Sequence, residues 1–228
     1  NAIGPVWDGN EVWLLTAGGA LFAAFPIVYA TVFSGFYIAL ILLLAGLIFR
    51  AVSFEFRGKI ESPAFVKFWD YAFGFGSLLI TLLLSVAFGN ILYGIPIDSS
   101  GRFLGNFFTL LNPFSVIVGI LGIVMFSLHG AIYMTMKTEK EQLKNMIMWA
   151  NRSWIAFIVV YFVATFATIF YAKYLFTGIL GNPFFWILFL LLLASIFFIP
   201  IGLKAKKFFY SFIASSLIIF SVIGLSAV

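Results

Sequence analysis

A chain of 228 residues that is 64% hydrophobic and 9% charged, with a mean hydropathy of +1.15, has too little polar surface to cover a soluble globule. Its net charge of +5 does not point to nucleic acid, because basic residues in so apolar a chain mark cytoplasmic loops. The absence of cysteine excludes disulfides, thiolate-held iron–sulfur clusters and covalently attached c-type haem. The class that remains is an all-α, polytopic transmembrane helical bundle, forming a single integral membrane domain over residues 1–228.

The chain opens on Asn1 and closes on the apolar run Leu225-Ser226-Ala227-Val228, and reads as an internal piece of a longer protein with material missing at both ends. Its first apolar stretch, Val12 to Phe49, is about twice as long as a single helix needs to cross roughly 30 Å of hydrocarbon. It must fold back. Pro26 marks the turn, since it lacks an amide donor and disfavours a helical Phe25 before it. The expected spans are helix A from Asp8 to Phe25, B from Ala30 to Phe49, C from Tyr71 to Tyr93 and D from Pro113 to Met134. E follows from Ser153 to Ala172, F from Phe184 to Leu203, and G from Phe208 to the end, about seven spans in all. Asn112-Pro113 is the start signal of D, with Asn as cap and Pro in the first turn.

Loop charge orients these spans. Eleven of the thirteen basic residues fall in the loops after B, D and F, among them Arg50, Arg57, Lys137, Lys144, Lys204 and Lys207; Arg102 and Lys173 alone lie opposite. The richer side is cytoplasmic. Helix A therefore begins at the cytoplasmic face with Trp7-Asp8-Gly9-Asn10-Glu11-Val12-Trp13, two carboxylates and two indoles at the mouth of a segment rich in Gly and Ala.

Each polar residue here has two readings. Asp8 and Glu11 have capping-box spacing, and they are also ionisable groups where cytoplasmic protons or cations arrive. Trp7 and Trp13 suit an interfacial belt or a site wall. Thr16, Gly19, Ala20, Ala23 and Ala24 form rows of small residues that let helices approach closely. Arg50 ends helix B, where the helix dipole and the interface both favour a cation. His129 is the sole histidine and lies inside helix D, with Met125 one turn away. It serves either as a packed hydrogen-bonding side chain or as a polar intramembrane site, and it cannot supply both axial ligands of a b-type haem. No phosphate loop, HExxH metal motif or nucleophile elbow is present. A proton- or cation-coupled secondary transporter remains an alternative, although the acidic residues sit at a helix mouth and not at the bilayer midplane.

Several blocks resemble subunit II of the cytochrome bd-type quinol oxidases. These are Trp7 to Leu14, Thr16 to Pro26, Phe33 to Tyr37, Arg50, Phe54-Glu55-Phe56-Arg57, Trp69-Asp70, Ala87-Phe88-Gly89-Asn90, Asn112-Pro113-Phe114 and His129-Gly130-Ala131 with Lys137-Thr138. The resemblance implies a multi-pass subunit of a prokaryotic cytoplasmic membrane, not catalytic alone, in a respiratory oxidoreductase that oxidises quinol and reduces dioxygen to water. It implies a partner, subunit I, that carries two b-type haems and haem d, with none bound by this chain alone and no metal site in it. It further implies a structural quinone, small accessory subunits, contact with the lipid bilayer and no nucleic acid. The family's cytoplasmic proton route falls on Asp8, with Trp7, Glu11 and Arg50 around it. The family's first and last helices are absent from this sequence.

Overall fold

The computed structural model describes residues 2–228, most of them helical. The helices are α1 (Trp7–Ala24), α2 (Pro26–Gly35), α3 (Tyr37–Phe56), α4 (Pro63–Tyr93), α5 (Pro113–Thr135), α6 (Lys140–Tyr171), α7 (Pro183–Lys204) and α8 (Phe208–Leu225). Six of them, α3 to α8, are long and apolar enough to cross a membrane. The expectation of seven is corrected at the front of the chain. There α1 has the length of a span, but Asp8, Asn10 and Glu11 occupy its first turns, and the expected helix B is split into α2 and α3.

Among the described residues, those up to 119 form one compact unit and residues 120–228 another. In the first, Phe25 is the single non-helical residue between α1 and α2, with φ −137° and ψ 63°, and Pro26 opens α2. Proline is at ease there, since a first-turn amide has no intrahelical partner to lose. The second break, at Phe36, is not signalled by any proline. Its neighbour Gly35 lies under the Phe103 ring, which a Cβ on Gly35 would meet at 3.0 Å. Helices α3 and α4 then pack backbone to backbone: a Cβ on Gly76 would stand 2.8 Å from the Gly46 carbonyl oxygen. Small residues give this closeness because, in lipid, helix association rests on van der Waals contact rather than on expelling water.

The α4–α5 connection is an ordered lid. Asn90, 4% exposed near the end of α4, donates through its amide to the Val86 and Leu110 carbonyls, and its own oxygen accepts from Asn112. The Asn112 oxygen in turn accepts the Ser115 amide in the first turn of α5. Between these anchors, Asp98 Oδ1 accepts the amides of Ser100 and Arg102 and the Ser100 hydroxyl, and the turn is fixed to α2 by Thr31 donating to the Gly101 carbonyl at 2.7 Å.

In the second unit α7 and α8 pack closely through Gly202 and Ser211. Pro200 lies inside α7, where it cannot donate to the carbonyl of Ile196 four residues earlier. The indole N–H of Trp154 on α6 donates to that carbonyl at 2.9 Å. A backbone group orphaned by proline is thus satisfied across two helices, as hydrocarbon requires. Helices α4 and α6 start earlier than expected, at Pro63 and Lys140. Hydropathy marks only the hydrocarbon part of a helix, while good helix formers such as Lys, Glu, Gln and Met carry it on through the interface.

Two outcomes check this account. Trp154→Phe should destabilise the chain by about 1–2 kcal/mol in detergent unfolding, and that loss should largely vanish in the Pro200→Ala background, where an amide again faces Ile196. The hydrogen bonds from the Ser100 hydroxyl and then the Arg102 amide hold the Asp98 carboxyl below the usual aspartate value of about 3.9. A depressed carboxylate stabilises the turn above that value and ceases to as pH falls through its folded value. Amide exchange over residues 98–102 should therefore be slow at neutral pH and accelerate at the acid end, whereas Asp98→Ala should exchange fast at both.

Candidate functional site

The head of α1 meets the tail of α3. Because the chain reverses at Phe25, residues near the start of α1 return beside residues late in α3. Glu11 Oε1 lies 3.6 Å from Arg50 Nε, and the Trp7 ring lies 5.4 Å from the Phe54 ring. Arg50 also stands over the face of Phe73 on α4, 5.8 Å from its centroid, so the guanidinium is held between a carboxylate and a π-face. Ile3, Trp7, Arg50, Phe54 and Phe73 line a narrow cleft at this point.

Three of the four residues expected to work together are therefore gathered: Trp7, Glu11 and Arg50. Asp8 is placed differently. It lies in the first turn of α1, exposed, one turn outside Glu11 on the same helix. The cap residue of α1 is Val6, with no side-chain cap bond, so the capping-box reading of Asp8 and Glu11 is not what forms; Asp8 still complements the positive end of the helix. Glu11 Oε1 and Arg50 Nε are both buried atoms without a hydrogen-bond partner among the described residues. The pair is close enough for charge attraction and too long for a hydrogen bond. Phe54 sits in a block singled out in the sequence. Phe73 carried no signal, being one of 31 phenylalanines.

A second feature lies between α1 and α2, where Leu14, Leu15, Gly18, Gly19, Phe22, Tyr29 and Phe33 line an apolar groove of about 450 Å³. Nothing lies within 4 Å of a Cβ built on Gly9, Gly18 or Gly19. Gly18 and Gly19 thus do not touch α2 or α3 among the described residues.

His129 is elsewhere, in the second unit. Its Nδ1 is 2.8 Å from the Ser215 hydroxyl on α8, and its ring lies against Phe212 at 4.7 Å. Ser215 also donates to the Phe212 carbonyl, so the hydroxyl accepts from Nδ1–H. This matches the packed reading of His129. Met125 lies on the same helix one turn away, and two side chains so placed cannot face each other across a haem plane. The donor set of this chain does not fit an axially paired haem. Among the described residues no group of three or more His, Asp or Glu side chains is placed to hold a metal.

The family described as cytochrome bd terminal oxidase subunit II matches residues 1–228. Cytochrome bd-I ubiquinol oxidase subunit 2 of Escherichia coli strain K12 is 51% identical over 145 residues, 62% of this chain and 38% of that protein. The probable cytochrome oxidase subunit 2 of Haemophilus influenzae is 49% identical over 144 residues, 61% of this chain and 38% of that one. Cytochrome bd ubiquinol oxidase subunit 2 of Bacillus subtilis is 43% identical over 138 residues, 60% and 41% of the two chains. These alignments span about two fifths of the length of the relatives.

The Glu11–Arg50 contact is testable as a coupling. In a double-mutant cycle of Glu11→Gln and Arg50→Gln, read by detergent-induced unfolding, the interaction should come to roughly 1 kcal/mol, between the values of exposed and of fully buried pairs. Additive single effects would show that the two side chains do not sense each other.

Proposed function

The chain belongs to the cytochrome bd terminal oxidase subunit II family, and on that premise we propose that it is a membrane subunit of a respiratory quinol oxidase that passes cytoplasmic protons toward the oxygen-reducing centre of its partner. The observation that carries the reading is the order of groups at the head of α1: an exposed carboxylate, Asp8, then the partly buried Glu11 one turn inward, facing Arg50. Reduction of dioxygen consumes protons inside a complex that bulk water cannot reach through hydrocarbon. A succession of ionisable groups and waters leading in from the surface meets that need.

In this reading Asp8 exchanges protons with the cytoplasm and Glu11 receives them. Arg50 keeps the inner carboxylate from being buried without a counter-charge, while Trp7 and Phe54 close the cleft around it. In this reading the haems are held by the partner subunit, since a single histidine cannot supply the paired axial ligands of a b-type haem. Their chemistry, when bound there, is the transfer of electrons from quinol to dioxygen. The groove between α1 and α2 is apolar along Leu14, Leu15, Phe22 and Phe33, and suits the isoprenoid tail of a structural quinone. The complex sits in a prokaryotic cytoplasmic membrane with the lysine-rich loops inward. Small accessory subunits join at faces this chain does not specify.

Asp8→Asn is the discriminating substitution, because Asn keeps shape and polarity while losing acid–base function. The complex should assemble with its normal haem absorption and lose about a hundredfold or more in quinol-driven oxygen consumption, the usual range for removing a proton-transfer group. Normal turnover in a fully assembled Asp8→Asn complex would end the proton-route reading. Loss of the haem absorption would replace it with a role in assembly.

A further inference from the structure

We propose that the α7–α8 turn of the second unit, together with Lys137, forms a binding site for the phosphodiester headgroup of an anionic phospholipid in the cytoplasmic leaflet. The turn is Lys204-Ala205-Lys206-Lys207, three cations in four residues with no acidic neighbour in sequence, and all three lysines are exposed. The fold adds a fourth. Tyr133 on α5 lies 5.8 Å from Phe212 on α8, and the Lys137 ammonium stands over the Tyr133 ring at 5.6 Å. Lys137 is one turn beyond Tyr133, and Lys207 is somewhat more than one turn before Phe212. Both therefore emerge at the same end of the α5–α8 pair.

No carboxylate neutralises this group. Among the described residues the ion pairs within 4.0 Å are Glu11–Arg50 and Arg57–Asp70, both in the other unit. The nearby acidic side chains are Glu139 and Glu141, at the start of α6, and neither is bonded to a lysine there. Three lysines within four residues, with Lys137 at the same end of the helix pair, repel one another unless an anion joins them. The chain also holds Lys206 in the left-handed region at φ 56°, the position after a helix where glycine is the default, with the Lys207 amide returned to the Gly202 carbonyl at 2.8 Å. A glycine would form the same turn with less strain, so what the lysine adds is its charge. Immediately after the turn, Phe209 and Tyr210 are 61% and 59% exposed at the start of α8, the depth at which aromatic side chains settle between headgroup and acyl chain. The general excess of positive charge on cytoplasmic loops requires only a count of lysines. It does not require that they fall at one end of a helix pair, outside any ion pair within 4.0 Å, next to exposed aromatic side chains. Basic clusters just outside a spanning helix attract acidic lipid headgroups in this way.

The test uses the full-length chain in its purified complex, reconstituted in nanodiscs of equal phosphatidylglycerol and phosphatidylcholine, released into mild detergent and read by native mass spectrometry. Phosphatidylglycerol should be retained in preference to phosphatidylcholine. The variant Lys204→Gln/Lys206→Gln/Lys207→Gln should retain it about tenfold less, while Lys173→Gln, in a loop with no such convergence, should retain it normally. If the triple variant fails to assemble, Lys206→Gly, which removes one charge and relieves the left-handed residue, should still lower retention a few-fold. Equal retention of the two lipids, or undiminished retention in the assembled triple variant, overturns the proposal. So does release of the lipid by millimolar inorganic phosphate, which would make this a site for the free anion. None of these outcomes depends on oxygen consumption, so failure here is separate from failure of the proton-route reading.

Discussion

A helix that reaches Pro26 cannot run through it unchanged, because the proline ring removes an amide donor and crowds the residue before it. In this chain the break is complete. Phe25 leaves helical geometry, α1 ends at Ala24, and the backbone returns as α2 and α3. Everything at the candidate site follows from that reversal. Glu11 and Arg50 are 39 positions apart in the sequence and 3.6 Å apart in space because the backbone breaks between them at Phe25 and again at Phe36. Moving the break by one turn would shift one arm by about 5.4 Å and carry the carboxylate past the guanidinium.

The second organising constraint is the cost of an unsatisfied polar group in hydrocarbon. It explains why the polar side chains inside the helices are so often tied to backbone carbonyls: Thr81 to Ser77, Thr168 to Ala164, Ser211 to Lys207. It also explains the two longer-range devices. Asn90 and Asn112 satisfy the carbonyl of Leu110 and the opening amide of α5, and in doing so clamp the lid between α4 and α5. Trp154 satisfies the carbonyl that Pro200 abandons, and in doing so fastens α6 to α7. In both cases a local backbone defect becomes a tertiary contact, since the defect can be repaired only by a side chain from elsewhere.

The parts of this architecture that were legible in the sequence are those governed by local chemistry. The apolar runs gave α4 to α8, Pro26 gave the reversal, and Asn112-Pro113 gave the start of α5. The parts that were not legible depend on contacts between distant segments. Nothing near Phe36 announces a break, because Gly35 is shaped by Phe103, nearly seventy residues later. Phe73 could not be told from other phenylalanines until it was seen beneath Arg50. The spacing of Asp8 and Glu11 suits a cap, but the helix begins at Trp7 with Val6 as its cap, two residues too early for Asp8 to occupy that position.

The same contrast bears on what α1 is for. This helix has no buried residue, and Trp13 and Leu15 are 73% and 77% exposed. A helix meant simply to face lipid needs bulky apolar side chains and gains nothing from glycine, which weakens it. Yet Gly18 and Gly19 stand at its centre, with open space where their side chains would be. Small residues in a membrane helix are favoured where another helix backbone or a flat ligand comes close. Within the described residues nothing does, so the glycines of α1 suit a neighbour outside this chain's own packing.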